Sequence, residues 1–76
     1  MTDVEIHYCV PCGHLDRAQQ LQYAMLDEYG QEIDSVALRT GDGGVFTVSV
    51  DGERIFDVDE DDYDADAIVE AVGERR

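Results

Sequence analysis

Tyr8-Cys9-Val10-Pro11-Cys12-Gly13 contains both cysteines and the only proline of the chain. Upstream, Val4, Ile6 and Tyr8 alternate with Asp3, Glu5 and His7, the period of a strand with one apolar face. Downstream, Leu15, Ala18, Leu21, Gln22, Met25 and Tyr29 recur at helical spacing, while Asp16, Arg17, Gln20 and Asp27 turn away. The thiols are therefore predicted on a strand-to-helix turn. Free N–H groups and the dipole at a helix start favour thiolate over thiol. Two intervening residues let the sulfurs meet, and so short a ring removes little chain entropy, so chemistry explains the pair better than stabilisation does. Pro11 suits a first helical position, where its missing N–H has no acceptor to lose, which predicts that the helix begins inside the motif.

Outward from this turn, Gly30 closes the helix and a second strand is predicted over residues 34–39. A strand, helix, strand order of this length implies a parallel crossover. The loop Thr40-Gly41-Asp42-Gly43-Gly44 precedes a strand over 45–50, and Asp51-Gly52 turns the chain into another over 53–58. Asp-Gly between β-rich runs signals a type I′ hairpin, with Phe46, Val48 and Val50 inward, opposite Ile55 or Phe56 according to register. The glycine loop lacks the Lys-Ser/Thr of a phosphate cradle and precedes a strand. Residues 57–66 are mostly acidic but lack the central glycine and closing glutamate of a calcium loop, and read as a solvated connection. Asp64 or Asp66 is placed to cap a final helix carrying Ala67, Ile68, Ala71 and Val72. The whole reads as one α/β domain over residues 1–76, with element order β-α-β-β-β-α. Two layers are expected, a four-stranded mixed sheet with both helices on one face.

Composition narrows the partners. Nineteen acidic residues against five arginines and no lysine give a formal charge of −14, which disfavours nucleic acid and anionic membrane. The chain is 43% hydrophobic with clear periodicity, so the acidity does not signal disorder. Absence of lysine beside so many aspartates points to a proteome adapted to high salt. No run approaches the ~20 apolar residues of a membrane span, and no charged-then-apolar leader precedes the first strand, which predicts a cytoplasmic protein. In that compartment a CxxC is kept reduced and is catalytic, redox-sensing or metal-binding rather than structural. A monomer needing no cofactor is expected, exchanging with a protein or a low-molecular-weight thiol or disulfide.

Cys9 and Cys12 are the candidate catalytic residues, with His7, His14 and Pro11 placed to tune the thiolate. Arg17, more than a helical turn beyond Cys12, is less well placed for that role. Two other classes compete. His7, Cys9, Cys12 and His14 are ligand types that suit zinc, although His14 would have to fold back over the strand to close a tetrahedron. A non-catalytic adaptor holding a basic partner through its acidic surface has only charge in its favour.

The sequence resembles the selenoprotein W-like, or Rdx, family of small thioredoxin-like proteins. The residues that carry the resemblance are Tyr8-Cys9-x-x-Cys12, Arg17-Ala18-x-x-Leu21, and Gly41-x-Gly43-Gly44-x-Phe46-x-Val48-x-Val50-Asp51-Gly52-Glu53-x-Ile55. It implies a thioredoxin-like strand, helix, three strands, helix fold and a thiol-based redox role, often glutathione-linked. Family members commonly carry basic residues and a Gly-Gly-Phe segment after the last strand, where this chain has Asp57-Val58-Asp59-Glu60-Asp61-Asp62-Tyr63. On which cysteine attacks, the two lines of reasoning diverge. A position just before the predicted first helical turn names Cys9, whereas selenocysteine in some relatives falls on Cys12.

The charge generates a first prediction. Self-repulsion among the carboxylates weakens as the Debye length falls from ~10 Å at 0.1 M salt to ~3 Å at 1 M, so Tm rises with sodium or potassium chloride over that interval. A flat or falling Tm, followed by circular dichroism, contradicts the argument.

Overall fold

The structure, a computed structural model, describes residues 2–75. The chain runs β1 (Asp3–Cys9), α1 (Leu15–Tyr29), a 3₁₀ turn (Gly30–Glu32), β2 (Ser35–Gly41), β3 (Phe46–Val50), β4 (Glu53–Asp57) and α2 (Ala65–Arg75). The sheet order is β2-β1-β3-β4, with β1 parallel to β2 and antiparallel to β3. β1 is thus an inner strand, paired on both edges. Its Val4, Ile6 and Tyr8 are buried and its Asp3, Glu5 and His7 are not, so one face of the sheet is covered. The expected two-layer architecture, with both helices on that face, is what the chain adopts.

The core forms where the periodicities meet. Ala18, Leu21 and Met25 of α1 and Ile68 and Val72 of α2 close over Val4, Ile6, Tyr8, Phe46, Val48, Val50 and Phe56 of the sheet. Burying each large apolar side chain contributes about 1.5–3 kcal/mol, so this cluster carries most of the favourable folding energy of a small domain. Two polar ties fix the helices. The Gln22 amide donates to the Val36 carbonyl at 2.7 Å, anchoring α1 to β2, and the Tyr29 hydroxyl donates to the Val69 carbonyl, anchoring α1 to α2. A Cβ at Gly73 would run into the Tyr29 ring, so the glycine lets that ring lie against α2.

The predicted helix start inside the motif is corrected. α1 begins at Leu15, and Val10–Gly13 form a turn in which the Gly13 N–H donates to the Val10 carbonyl at 3.1 Å. Gly13 has φ +78°, which no right-handed helix accommodates, so Pro11 serves as the second residue of this turn rather than opening α1. The hairpin follows expectation: Asp51 and Gly52 both have positive φ (52° and 86°), as a type I′ turn requires. A bulge between Val48 and Ser49 makes Ile55 the extra residue of β4, which brings Phe56 rather than Ile55 opposite Val48. At the last helix, the Asp64 carboxylate accepts from Ala67 N–H at 3.2 Å, so Asp64 is the cap. On α2, Ile68 and Val72 are buried while Ala67 is exposed. Among the described residues no helix is long and apolar enough to cross a membrane.

The hairpin generates the second prediction. Gly52→Ala forces a Cβ into a left-handed conformation and destabilises the fold by about 1–2 kcal/mol, read as a lower urea midpoint with an unchanged slope. An unchanged midpoint would mean that the turn tolerates another backbone.

Candidate functional site

β1 ends at Cys9, and three backbone bonds fold the following residues into a compact loop. Val10 N–H donates to the Gly41 carbonyl at 3.1 Å, continuing the β1–β2 ladder, Gly13 N–H closes the turn, and His14 N–H donates to the Cys9 carbonyl at 3.4 Å. The Cys9 and Cys12 sulfurs lie at disulfide distance, with Cα atoms 5.4 Å apart. Their exposure differs. Cys9 is fully buried at 0%, whereas Cys12 is exposed on the turn between Pro11 and Gly13. A reagent in solvent can reach only the second sulfur, and the first stands directly behind it. Val10 and Leu15, also exposed, flank the motif with apolar surface.

The residues expected to tune the thiolate fall on opposite sides of the sheet. His7 projects from the uncovered face toward Gly41, where any Cβ would collide with its imidazole. It therefore lies against the strand end on which the Val10 bond depends. His14 sits on the covered side, its ring edge-on to the buried Phe46 at 5.7 Å between centroids. Pro11 shapes the turn and is exposed. Since the sheet separates the two imidazoles, the four-residue zinc set of His7, Cys9, Cys12 and His14 is not brought together. Among the described residues no three His, Cys, Asp or Glu side chains converge as a metal-holding group. The acidic connection uses its carboxylates locally, Asp57 accepting from Asp59 N–H at 2.9 Å and Asp64 capping α2.

Two residues acquire a place at this end of the molecule that their sequence neighbourhoods did not announce. Tyr63, the lone aromatic of the acidic connection, folds onto Phe46 and Phe56 at 5.6 and 6.1 Å, both contacts edge-on. The Arg17 guanidinium lies 4.5 Å above the Tyr63 ring. Burial pushes the Tyr63 phenol above its ordinary range, and the positive charge of Arg17 pulls it partly back. The available signal was a single tyrosine in a run otherwise given to carboxylates. An aromatic there has a reason to leave solvent that its neighbours lack.

The Rdx family model matches residues 3–74. A crystal structure of a protein from Bordetella parapertussis superposes with a TM-score of 0.91 at 30% identity, covering 99% of this chain and 98% of that one. That of a selenoprotein W-related protein from Vibrio cholerae gives a TM-score of 0.88 at 27% identity, covering 96% and 94%. No curated protein matches the sequence.

The raised Tyr63 phenol carries a pH dependence. The folded chain holds this proton more tightly than the unfolded one. The associated stability is therefore whole below the ordinary value of ~10 and is lost as pH climbs through the higher folded value. Tyr63→Phe should accordingly lose less stability than the parent between about pH 9 and pH 11, measured by urea unfolding. Equal losses in the two proteins would show that the phenol is not perturbed.

Proposed function

The chain belongs to the Rdx family, and on that premise we propose that it is a small thiol–disulfide redox protein cycling Cys9 and Cys12 between dithiol and disulfide. The observation that carries this reading is the division of exposure across the motif: one sulfur open to solvent, its partner buried within bonding reach. Two inert core cysteines would both be buried, and a structural staple closing so short a loop would contribute little.

The sequence position that named Cys9 as attacker depended on a helix beginning at Pro11, and α1 begins at Leu15. Exposure therefore makes Cys12 the attacking thiol and Cys9 the resolving one, in line with the position some family members give to selenocysteine. The Cys12 thiolate attacks one sulfur of a disulfide RSSR, forming Cys12–S–S–R and releasing RS⁻, which takes a proton from solvent. Cys9, deprotonated, then attacks the Cys12 sulfur, releasing the second RS⁻ and leaving the Cys9–Cys12 disulfide. Two electrons pass from the protein dithiol to RSSR, and the reverse sequence reduces the protein. The turn aids the second step, because the sulfurs need little backbone movement to join. Partners are protein or small-molecule thiols and disulfides, met by a monomer in the cytoplasm.

Single substitutions test the assignment. Challenged with a small disulfide near neutral pH, Cys9→Ser should accumulate a stable mixed disulfide faster than Cys12→Ser, and its remaining thiol should titrate below the ~8.5 of an ordinary cysteine. Faster trapping in Cys12→Ser reverses the roles. Equally slow, unperturbed thiols in both variants remove the redox reading.

A further inference from the structure

β4 ends the sheet, paired with β3 on one side and with no described strand on the other. Alternate N–H and C=O groups of Glu53–Asp57 therefore point outward without a partner in the sheet, the arrangement onto which a further strand adds. A groove of about 240 Å³ opens beside this edge, between β4, the connection after it and α2. Half-buried Ile55 and Ala71, exposed Ala67, and the buried Phe56 and Ile68 give it apolar walls. Ala67 and Ala71 stand one helical turn apart, so small side chains leave on α2 a space that the core does not fill. Small-molecule pockets typically hold ~300–1,000 Å³, and a groove below that range suits single side chains better than a whole ligand. Its rim is acidic. Glu53 and Asp57, at the two ends of β4, already hold Arg75 and Arg54, and Asp64 caps α2, but among the described residues no arginine pairs with Asp61 or Asp62.

We propose that the free edge of β4 and the groove beside it form a docking site for an extended basic segment of a partner protein, which adds to the sheet as a further strand. Successive side chains of a strand leave on opposite faces, so every second residue of the segment meets the α2 side. Backbone bonds to β4 supply affinity, and the groove reads aliphatic side chains at those alternate positions. Lysines or arginines of the segment supply the positive charge that Asp61 and Asp62 lack within this chain. A second copy of this chain is a poor match, because it brings the same acidic rim and a formal charge of −14 to the edge. The inference needs no thiol chemistry and stands apart from the redox reading.

The test titrates the ¹⁵N-labelled full chain with the acetylated, amidated peptide Lys-Val-Arg-Ile-Lys-Val-Arg at ~0.15 M salt, where the Debye length is ~8 Å. Saturable amide shifts should be confined to β4, Asp61, Asp62 and residues 67–71 of α2. Two further peptides keep every side chain and charge but are N-methylated on the odd or on the even residues. The version whose blocked N–H groups face β4 should bind about tenfold more weakly than the other. Ala67→Gln puts a longer neutral side chain at an exposed position of the groove and should weaken the unmodified peptide about fivefold. Asp61→Asn combined with Asp62→Asn should weaken it about two- to fivefold. Shifts that do not saturate by about 1 mM peptide, or that follow the β2 edge instead, overturn the inference. So does equal binding of the two N-methylated peptides, which would show attraction by charge alone. A concentration-dependent dimer joined through β4 would give the edge to a second copy and also overturn it.

Discussion

The Phe46 ring is the contact on which both the core and the CxxC end depend. It is fully buried at the start of β3, paired across the sheet with Tyr8 on β1, and it meets His14, Phe56 and Tyr63 edge-on. Aromatic pairs in this arrangement contribute about 0.5–1.5 kcal/mol each beyond the area they bury. One side chain therefore sets the position of the residue before α1, of β4 and of the acidic connection together. Because the β3 strand that carries it also borders β1, the ring supports the strand whose last residue is Cys9. Core packing and thiol placement are in this sense a single constraint, and a loosened Phe46 would be felt at the motif.

The acidity that dominates the composition is organised more by backbone than by counter-charge. Asp34, Asp51, Asp57 and Asp64 each accept from a backbone N–H, of Thr2, Asp3, Asp59 and Ala67 respectively, at 2.9 to 3.2 Å. These bonds tie the N-terminal strand to the β2 entry and to the hairpin, tighten the turn after β4 and cap α2. The Arg39–Glu5, Arg54–Asp57 and Arg75–Glu53 ion pairs, by contrast, are largely exposed, the kind worth about 0–1 kcal/mol each. Several carboxylates thus take backbone donors, while the buried core is an uncharged cluster. Arg17 stands apart from this pattern, since an aromatic ring rather than a carboxylate holds it.

The motif itself shows how a parallel pair and an inner strand create asymmetry between two like residues. Cys9 continues β1 and pairs in register with Gly41 of β2, so the sheet encloses it. Cys12 belongs to the turn beyond the end of β1, closed by the Gly13 N–H on the Val10 carbonyl, and it is exposed. Two thiols with the same intrinsic chemistry thus receive different access to solvent, which is what a two-step exchange asks of an attacking and a resolving sulfur.

Sequence alone determined whatever depends on near neighbours. The alternation of Val4, Ile6 and Tyr8, the helical stripe from Ala18 to Met25 and the Asp51-Gly52 turn are local periods and local φ preferences, so they were legible and so was the layered fold they imply. The start of α1 was misread because two local signals conflicted. Proline favours a first helical position, but Gly13 adopts a positive φ, and the turn closed on Val10 excludes Pro11 from the helix. Tertiary structure decided the rest. The bulge at Ile55 selects Phe56 for the core, the sheet sets His7 and His14 on opposite sides, and Tyr63 reaches Arg17 across the fold. Each of these depends on partners far away in the chain, and burial is a property of the assembled layers, which is why the difference in exposure between the two cysteines emerged only once β1 lay between β2 and β3.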